Sequence, residues 1–293
     1  MCSISRGKFA TVYKSLSKCI FENLAFEEYL FRNHDVNKNG ELLLFWSNNP
    51  AIVVGRHQNT WAEVNLEFAK KNRIDVARRH SGGGTVYHDL GNLNISLLTT
   101  HAQHCRPKNL KFISEALNDT FSLSIVPNKR DDMELQPGNR KCSGTAARIA
   151  RGHAYHHLTL LVDADLSVLS AALNSPLRHQ IVTNATKSVR AEAVGFLRQD
   201  DRSASVVAAE KAVVEAYRSQ FEASLYDEID VGEQIESNSE MARIYEQLIG
   251  WEWIFGKSPR FVFTDDENRE ILVKDGVVAT RSGDFDAGTR FVL

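Results

Sequence analysis

No C-x-x-C pair and no disulfide-like spacing links the four cysteines, Cys2, Cys19, Cys105 and Cys142, which argues for a reducing compartment and against a structural zinc. The histidines offer little for metal either, because His156 and His157 are neighbours on an expected strand and point to opposite faces. No apolar run approaches the length that spans a bilayer, so no membrane role is expected. Excess charge is missing too: the formal net charge is −2, which removes the general electrostatic case for nucleic acid. The common phosphate signatures fail. There is no G-x-x-x-x-G-K-[ST], and the one glycine run lacks the third glycine of G-x-G-x-x-G. His80-Ser81-Gly82-Gly83-Gly84 superficially resembles an oxyanion-hole loop, but no G-x-S-x-G turn accompanies it. Internal repeats and low-complexity segments are absent.

What is present is one unusual stretch, residues 78–94, reading RRHSGGGTVYHDLGNLN. Three consecutive glycines give up much conformational entropy, so such a run implies that the backbone must reach φ > 0 or approach something closely. Successive N–H groups in such a turn form an anion-binding concavity, and Arg78 and Arg79 place positive charge beside it. The first hypothesis is therefore a carboxylate or phosphate site; the alternative is a mobile surface loop. Lys70, Lys71, Arg73, Arg78 and Arg79 form a local basic patch that suits a small anion better than a polymer, while residues 222–246 are rich in acid.

Along the chain, Phe21, Leu24, Ala25 and Tyr29 fall at helical spacing in a segment ending near Asn33. Glu41–Trp46 and Ala51–Val54 read as buried antiparallel strands separated by a Ser-Asn-Asn-Pro turn, and Gly55-Arg56-His57-Gln58-Asn59 projects from the second. A short helix over 65–71 leads to a strand at 74–79. Leu93, Ile95 and Leu97 alternate with Asn92, Asn94 and Ser96, the period of a half-buried strand. Helices are expected over 109–120, 166–173 and 206–221, and a long strand over 153–162. Pro137-Gly138 suggests a type II turn in a hairpin whose return strand presents Lys141. Short strands at 261–263, 271–274 and 277–280 follow, with a turn at Asp275-Gly276. The mixture predicts an α+β fold, with no βαβ array.

Lys141 is the best chemical candidate: a strand lysine within reach of an anion cradle stabilises charge developing on a carbonyl or phosphoryl oxygen. The plain alternative is a solvated strand lysine. Arg130 adds a second cation or forms an exposed pair with Asp131. Cys142, on the opposite face from Lys141, is expected to pack inward as a small apolar side chain.

Five ordered motifs carry a family resemblance: GRHQNTWAEVN at 55–65, RRHSGGGTVYHDLGNLN at 78–94, NRKCSGTA at 139–146, AYHHLTLL at 154–161 and WEWIFGKSP at 251–259. Together they resemble the lipoate-protein ligase and lipoyltransferase family over residues 23–259. GRHQN, SGGGTVYHD and TNATKS at 183–188 are more similar to the animal mitochondrial branch than to bacterial ligases. The resemblance implies a mixed β-sheet flanked by helices, the fold of the biotin/lipoate protein ligase catalytic domain, with three parts: residues 1–20, 21–259 and 260–293. The first is basic and serine-rich, either a residual transit peptide or an ordinary basic strand, so a mitochondrial location is expected, with a cytoplasmic one as the alternative. The second is the catalytic domain. The third is a truncated C-terminal β appendage, part of an accessory domain, and about 35 residues bury little core alone.

The activity implied is transfer of a lipoyl or octanoyl group to the acceptor lysine of lipoyl domains of 2-oxoacid dehydrogenase E2 subunits. The donor is lipoyl-AMP or an acylated carrier such as the glycine-cleavage H protein. A full ATP-dependent ligase, using lipoate or octanoate with ATP and Mg2+, is the alternative; a non-catalytic lipoyl-nucleotide-binding protein is a second. In such a site Lys141 sits between acyl carbonyl and phosphate. Arg79, Gly82, Gly83, Gly84, Thr85, Val86 and Tyr87 line the nucleotide side, with Arg130 and Thr159 nearby; no metal is held by the chain. The inward faces of residues 52–54, 93–97 and 158–161 are candidates for an acyl slot, where burying most of an eight-carbon chain supplies about 5 kcal/mol. Two departures stand out: the short tail, which implies better transfer than activation, and Leu158 where bacterial members commonly carry Gly.

Overall fold

The strand Asn92–Thr100, expected from the alternation of Leu93, Ile95 and Leu97, lies third in a six-stranded mixed sheet of the computed structural model. The structure describes residues 9–281, 283 and 285–292. Sheet order is Ser143–Ala150, His153–Leu161, Asn92–Thr100, Glu41–Trp46, Phe9–Ser15 and Ala223–Ile229. The first four pair antiparallel, and the last two join in parallel register. This sheet belongs to one compact unit, built from the described residues up to Asn49 with His88–Leu166 and Arg190–Ile244.

One face of the sheet holds the main core. Val12, Leu43, Phe45, Leu93, Ile95, Leu97, Leu158 and Leu160 pack with Leu110, Ile113 and Leu117 of the helix Arg106–Thr120 and with Val213 and Tyr217 of the helix Val206–Arg218. The opposite face of Asn92–Thr100 was expected to meet water, but Asn92, Asn94 and Ser96 are buried. The helix Ile20–Asn33 faces the neighbouring strand on that side: Phe31 sets its ring edge-on to Tyr155 at 5.2 Å, and Glu27 binds His157. Period-2 alternation therefore marks a polar buried face here, on which Asn92 Nδ2 donates to Asn94 Oδ1 and Asn94 Nδ2 to the Trp46 carbonyl. Phe9–Ser15 of the basic N-terminal stretch is a strand; residues 1–8 of that stretch lie outside the described residues.

The second unit comprises Pro50–Tyr87, Ser167–Val189 and the chain from Tyr245. The antiparallel pairing expected for Glu41–Trp46 with Ala51–Val54 does not occur. Ala51–Val54 instead pairs in parallel with Asp75–Arg78, in a three-stranded sheet completed by Val86–His88. Parallel strands need a crossover connection, and the short helices Thr60–Glu63 and Leu66–Lys71 supply it, so one βαβ unit stands inside an α+β fold.

The C-terminal strands Phe261–Thr264, Glu270–Lys274 and Val277–Val278 extend Ile181–Thr183 into a four-stranded antiparallel sheet. Their core is not their own: Phe261, Phe263, Ile271, Val273 and Phe291 close around Trp61 and Ile181, with Trp61 5.2 Å from Phe261. The sequence division at 259/260 thus falls inside this unit. Asp275 (φ 50°) and Gly276 (φ 72°) make the expected hairpin turn, and a Cβ on Gly276 would come within 2.6 Å of Trp251.

Candidate functional site

Parallel register between Ala51–Val54 and Asp75–Arg78 brings two polar segments to the same end of the small sheet: 55–59 after one strand and 79–84 after the other. They are tied together at once. Arg56 N–H donates to the Ser81 carbonyl at 2.8 Å and Arg79 N–H to Val54 at 3.0 Å. Gly55 has no room for a side chain, since an added Cβ would overlap the Gly83 carbonyl oxygen, and Gly83 itself sits at φ 86°.

Arg79 is buried, and its guanidinium holds the loop from inside. Nη2 donates to the carbonyls of Gly82 (2.6 Å) and Gly84 (2.7 Å), Nη1 to Val53 (2.9 Å) and Nε to Ser81 Oγ (2.9 Å). With the carbonyls drawn inward, the N–H groups of Gly82, Gly83 and Gly84 make no hydrogen bond among the described residues. Thr85 N–H, by contrast, donates to Ser188 Oγ at 2.9 Å, and Thr85 Oγ1 donates to Gln58 Oε1 at 2.8 Å. Val86 continues into the strand Val86–His88, and Tyr87 turns its ring into a core with Ile52, Val54 and Val64.

Arg78, expected to place positive charge beside the glycine turn, spends its donors inside the protein. It is fully buried, and among the described residues no carboxylate pairs with it. Its guanidinium donates to the carbonyls of Gly55 (3.0 Å), Gln58 (2.9 Å), Trp253 (3.0 Å) and Ile254 (2.9 Å) and to the hydroxyls of Thr60 (2.7 Å) and Ser258 (3.0 Å). Burial lowers its pKa to about 9, and the charges of Arg56 and Arg79 add to the effect. The basic patch therefore divides: Lys70, Lys71 and Arg73 are exposed, and Arg78 and Arg79 are internal braces.

In the other unit, Met133–Leu135 and Arg140–Lys141 form the expected hairpin, with Lys141 opposite Glu134. Four residues connect the strands, and Gly138, third in the connection, has the positive φ (100°) that a type II turn places there, with Asn139 following at 50°. Lys141 N–H donates to the Ala193 carbonyl at 2.9 Å and its own carbonyl accepts from Gly195 at 3.0 Å, so its backbone is fixed on both sides. The side chain, 26% exposed, reaches Asp132, Nζ to Oδ2 2.7 Å. Thr159 Oγ1 accepts from Gly144 N–H at 2.9 Å, fixing the strand that continues from Lys141. Arg130 is exposed, and Asp131 pairs with Arg106 at 3.1 Å, so the Arg130–Asp131 pair does not form. Cys142 is buried as expected, and burial pushes its thiol up to about 12.

The expected site residues thus gather as two groups, Arg79 with Gly82 through Tyr87 in one unit and Lys141, Thr159 and Arg130 in the other. The model of the lipoyl protein ligase A/B catalytic domain matches residues 19–218, a span that contains both groups. The chain belongs to that family. The mitochondrial lipoyl amidotransferase LIPT1 of Mus musculus is 38% identical over 253 residues, covering 85% of this chain and 66% of its own length. Lipoate-protein ligase A of Bdellovibrio bacteriovorus is 33% identical over 247 residues, covering 84% and 71%. Among solved structures, P. falciparum LipL1 in complex with lipoate superposes with a TM-score of 0.73 at 25% identity, covering 92% of this chain and 82% of that one. The chain therefore spans about two thirds of the mouse relative's length.

Within this lipoyl ligase-family domain, sequence reasoning passed over two residues that build the glycine segment. Gln58 is fully buried; its Oε1 accepts from Gly55 N–H (3.0 Å) and its Nε2 donates to Ser188 Oγ (3.0 Å). Ser188 fills the space beside Gly84, where a Cβ would sit 3.1 Å from its Oγ, and its own N–H donates to Glu63 at 3.1 Å. Gln58 lies in the polar segment 55–59 that projects from a strand end, without being singled out there, and Ser188 in TNATKS, which drew notice only for its resemblance. A network joining residues 58, 85 and 188 has no local signature, because its parts are distant in sequence.

Proposed function

We propose that this chain transfers a lipoyl or octanoyl group to the acceptor lysine of lipoyl domains of 2-oxoacid dehydrogenase E2 subunits. The observation that carries the reading is the row of unclaimed N–H donors at Gly82, Gly83 and Gly84, an anion receptor inside a lipoyl ligase-family domain. With lipoyl-AMP as donor, the neutral acceptor amine attacks the acyl carbonyl carbon. A C–N bond forms, negative charge collects on the carbonyl oxygen, and the C–O bond to phosphate breaks with AMP leaving as the anion. The amine's proton passes to solvent. Lys141 supplies the cation for that oxygen, a preorganised interaction worth several kcal/mol. Arg79 acts through the loop carbonyls it holds, Thr85, Val86 and Tyr87 contribute backbone beside the nucleotide, and Thr159 and Arg130 complete the surroundings of Lys141.

The name of the mouse relative supports a second donor, an acyl group already in amide linkage on a carrier such as the glycine-cleavage H protein, whose lysine amine would be the leaving group. It also supports a mitochondrial location. The bacterial relative's name supports the ligase alternative, in which lipoate and ATP with Mg2+ first give the adenylate. We read the C-terminal strands as the counterpart of the family's accessory domain. The test offers apo-lipoyl domain with, in turn, lipoate plus ATP and Mg2+, lipoyl-AMP, and lipoylated carrier protein. Acylated product with the second or third donor supports a transferase, product with the first adds ligase activity, and no product with any donor overturns the proposal in favour of a silent binder.

A further inference from the structure

Three guanidiniums crowd the base of the glycine segment, and two are spent. Every nitrogen of Arg78 and of Arg79 donates to protein carbonyls or hydroxyls. Arg56 differs. Its guanidinium carbon lies over the Trp253 ring, 4.2 Å from the centroid, and its Nη1 is buried without an acceptor among the described residues. Among those residues no carboxylate pairs with it, and Arg78 and Arg79 lie close enough for the three charges to repel. Leaving such a donor unmade beside like charges is costly. The cost is tolerated where a ligand anion completes the set.

The surroundings specify that anion. Arg56 N–H is bonded to the Ser81 carbonyl, Gly55 abuts Gly83, and Trp253 also carries His80 at 4.6 Å and donates to the Arg78 carbonyl at 2.7 Å. One aromatic shelf thus supports both the residue before the loop and the guanidinium of Arg56, which is held over the ring instead of ranging through solvent. Three N–H donors in succession and a planar guanidinium whose donors the described residues do not claim match a tetrahedral oxyanion with several acceptor oxygens better than a carboxylate, which has two.

We propose that Arg56, positioned by stacking on Trp253, is a further side chain that binds the phosphate of the acyl-adenylate, on the side of the glycine segment. This rests on the acyl-adenylate reading above and adds a residue that reading did not assign. It also gives Arg78 and Arg79 a different task, that of fixing the backbone around the anion.

The experiment measures binding of octanoyl-AMP, and of an octanoyl-adenosine analogue whose linker is uncharged, to the full chain and to its Arg56→Gln and Arg56→Lys variants by calorimetry, with thermal unfolding as a check on folding. Arg56→Gln is expected to weaken octanoyl-AMP by about ten- to a hundredfold while changing the uncharged analogue less than about threefold, and Arg56→Lys to recover part of the loss. Equal weakening of both ligands would assign Arg56 a purely structural role and overturn the proposal, as would unchanged affinity for octanoyl-AMP. A wild-type chain that binds neither ligand would overturn the acyl-adenylate reading itself.

Discussion

Among the described residues Arg78 has no negative partner, and it has no solvent contact, yet every nitrogen is bonded, so its charge is met by carbonyl dipoles instead of by an acid. Arg78→Leu strands those carbonyls and should destabilise the fold by about 3 kcal/mol or more, read as a shifted urea midpoint; a midpoint within error of wild type would contradict the brace. His156 is the matching case in the other unit. It is fully buried, its Nδ1 accepts from Asn109 at 3.3 Å, and burial, with Arg106 next, lowers its pKa to about 3. Between about pH 6.5 and about pH 3 the unfolded chain binds a proton there that the native chain refuses, so this contribution to stability is complete above about 6.5 and is lost as pH falls toward 3. His156→Phe should flatten the stability profile over that window; an unchanged slope would count against it. Both residues were read in the sequence only as charge or as poor metal ligands, because burial of a polar side chain depends on partners distant in sequence. Cys142 was legible, since its neighbours fix which way a strand residue faces, and its raised thiol predicts no labelling by a thiol reagent at pH 8 until the chain unfolds.

Among elements, periodicity gave five of the ten α-helices of the described residues closely: Ile20–Asn33, Leu66–Lys71, Arg106–Thr120, Leu166–Ala172 and Val206–Arg218 lie within a few residues of expectation, while Val231–Ser237 and Ser239–Ile249 were not foreseen. Pairing was less visible. Nothing in Ala51–Val54 says that it joins Asp75–Arg78 in parallel, and nothing in the acidic segment Ala223–Ile229 says that it adds an edge strand beside Phe9–Ser15. The acyl-slot candidates suffer from the same gap. Leu93, Ile95, Leu97, Leu158 and Leu160 alternate as a slot would, but they pack into the core against two helices. The glycine segment is the element where local and distant chemistry meet: the triple glycine announced it, while Ser188 and Gln58 hold it. Ser188→Ala leaves Thr85 N–H and Gln58 Nε2 without their acceptor. We expect a loss of about 1–3 kcal/mol in denaturant unfolding, and an unaltered midpoint would remove Ser188 from the loop's support.

At the scale of the whole molecule, the five motifs named the family because they are ordered and far apart, and the matched span of 19–218 covers the glycine segment and Lys141 together. What they did not convey is that the chain leaves and re-enters each unit twice, so that the tail completes a core begun at Trp61. Lys141 is fixed by backbone bonds to Ala193 and Gly195 and by the ion pair with Asp132, and its removal takes away a partly exposed side chain and no core. The most direct test is therefore single-turnover transfer from lipoyl-AMP to an apo-E2 lipoyl domain by the wild-type chain and by Lys141→Ala, with thermal unfolding of both. The account predicts a transfer rate lower by about a hundredfold or more in Lys141→Ala with the fold retained; a rate equal to wild type would contradict it.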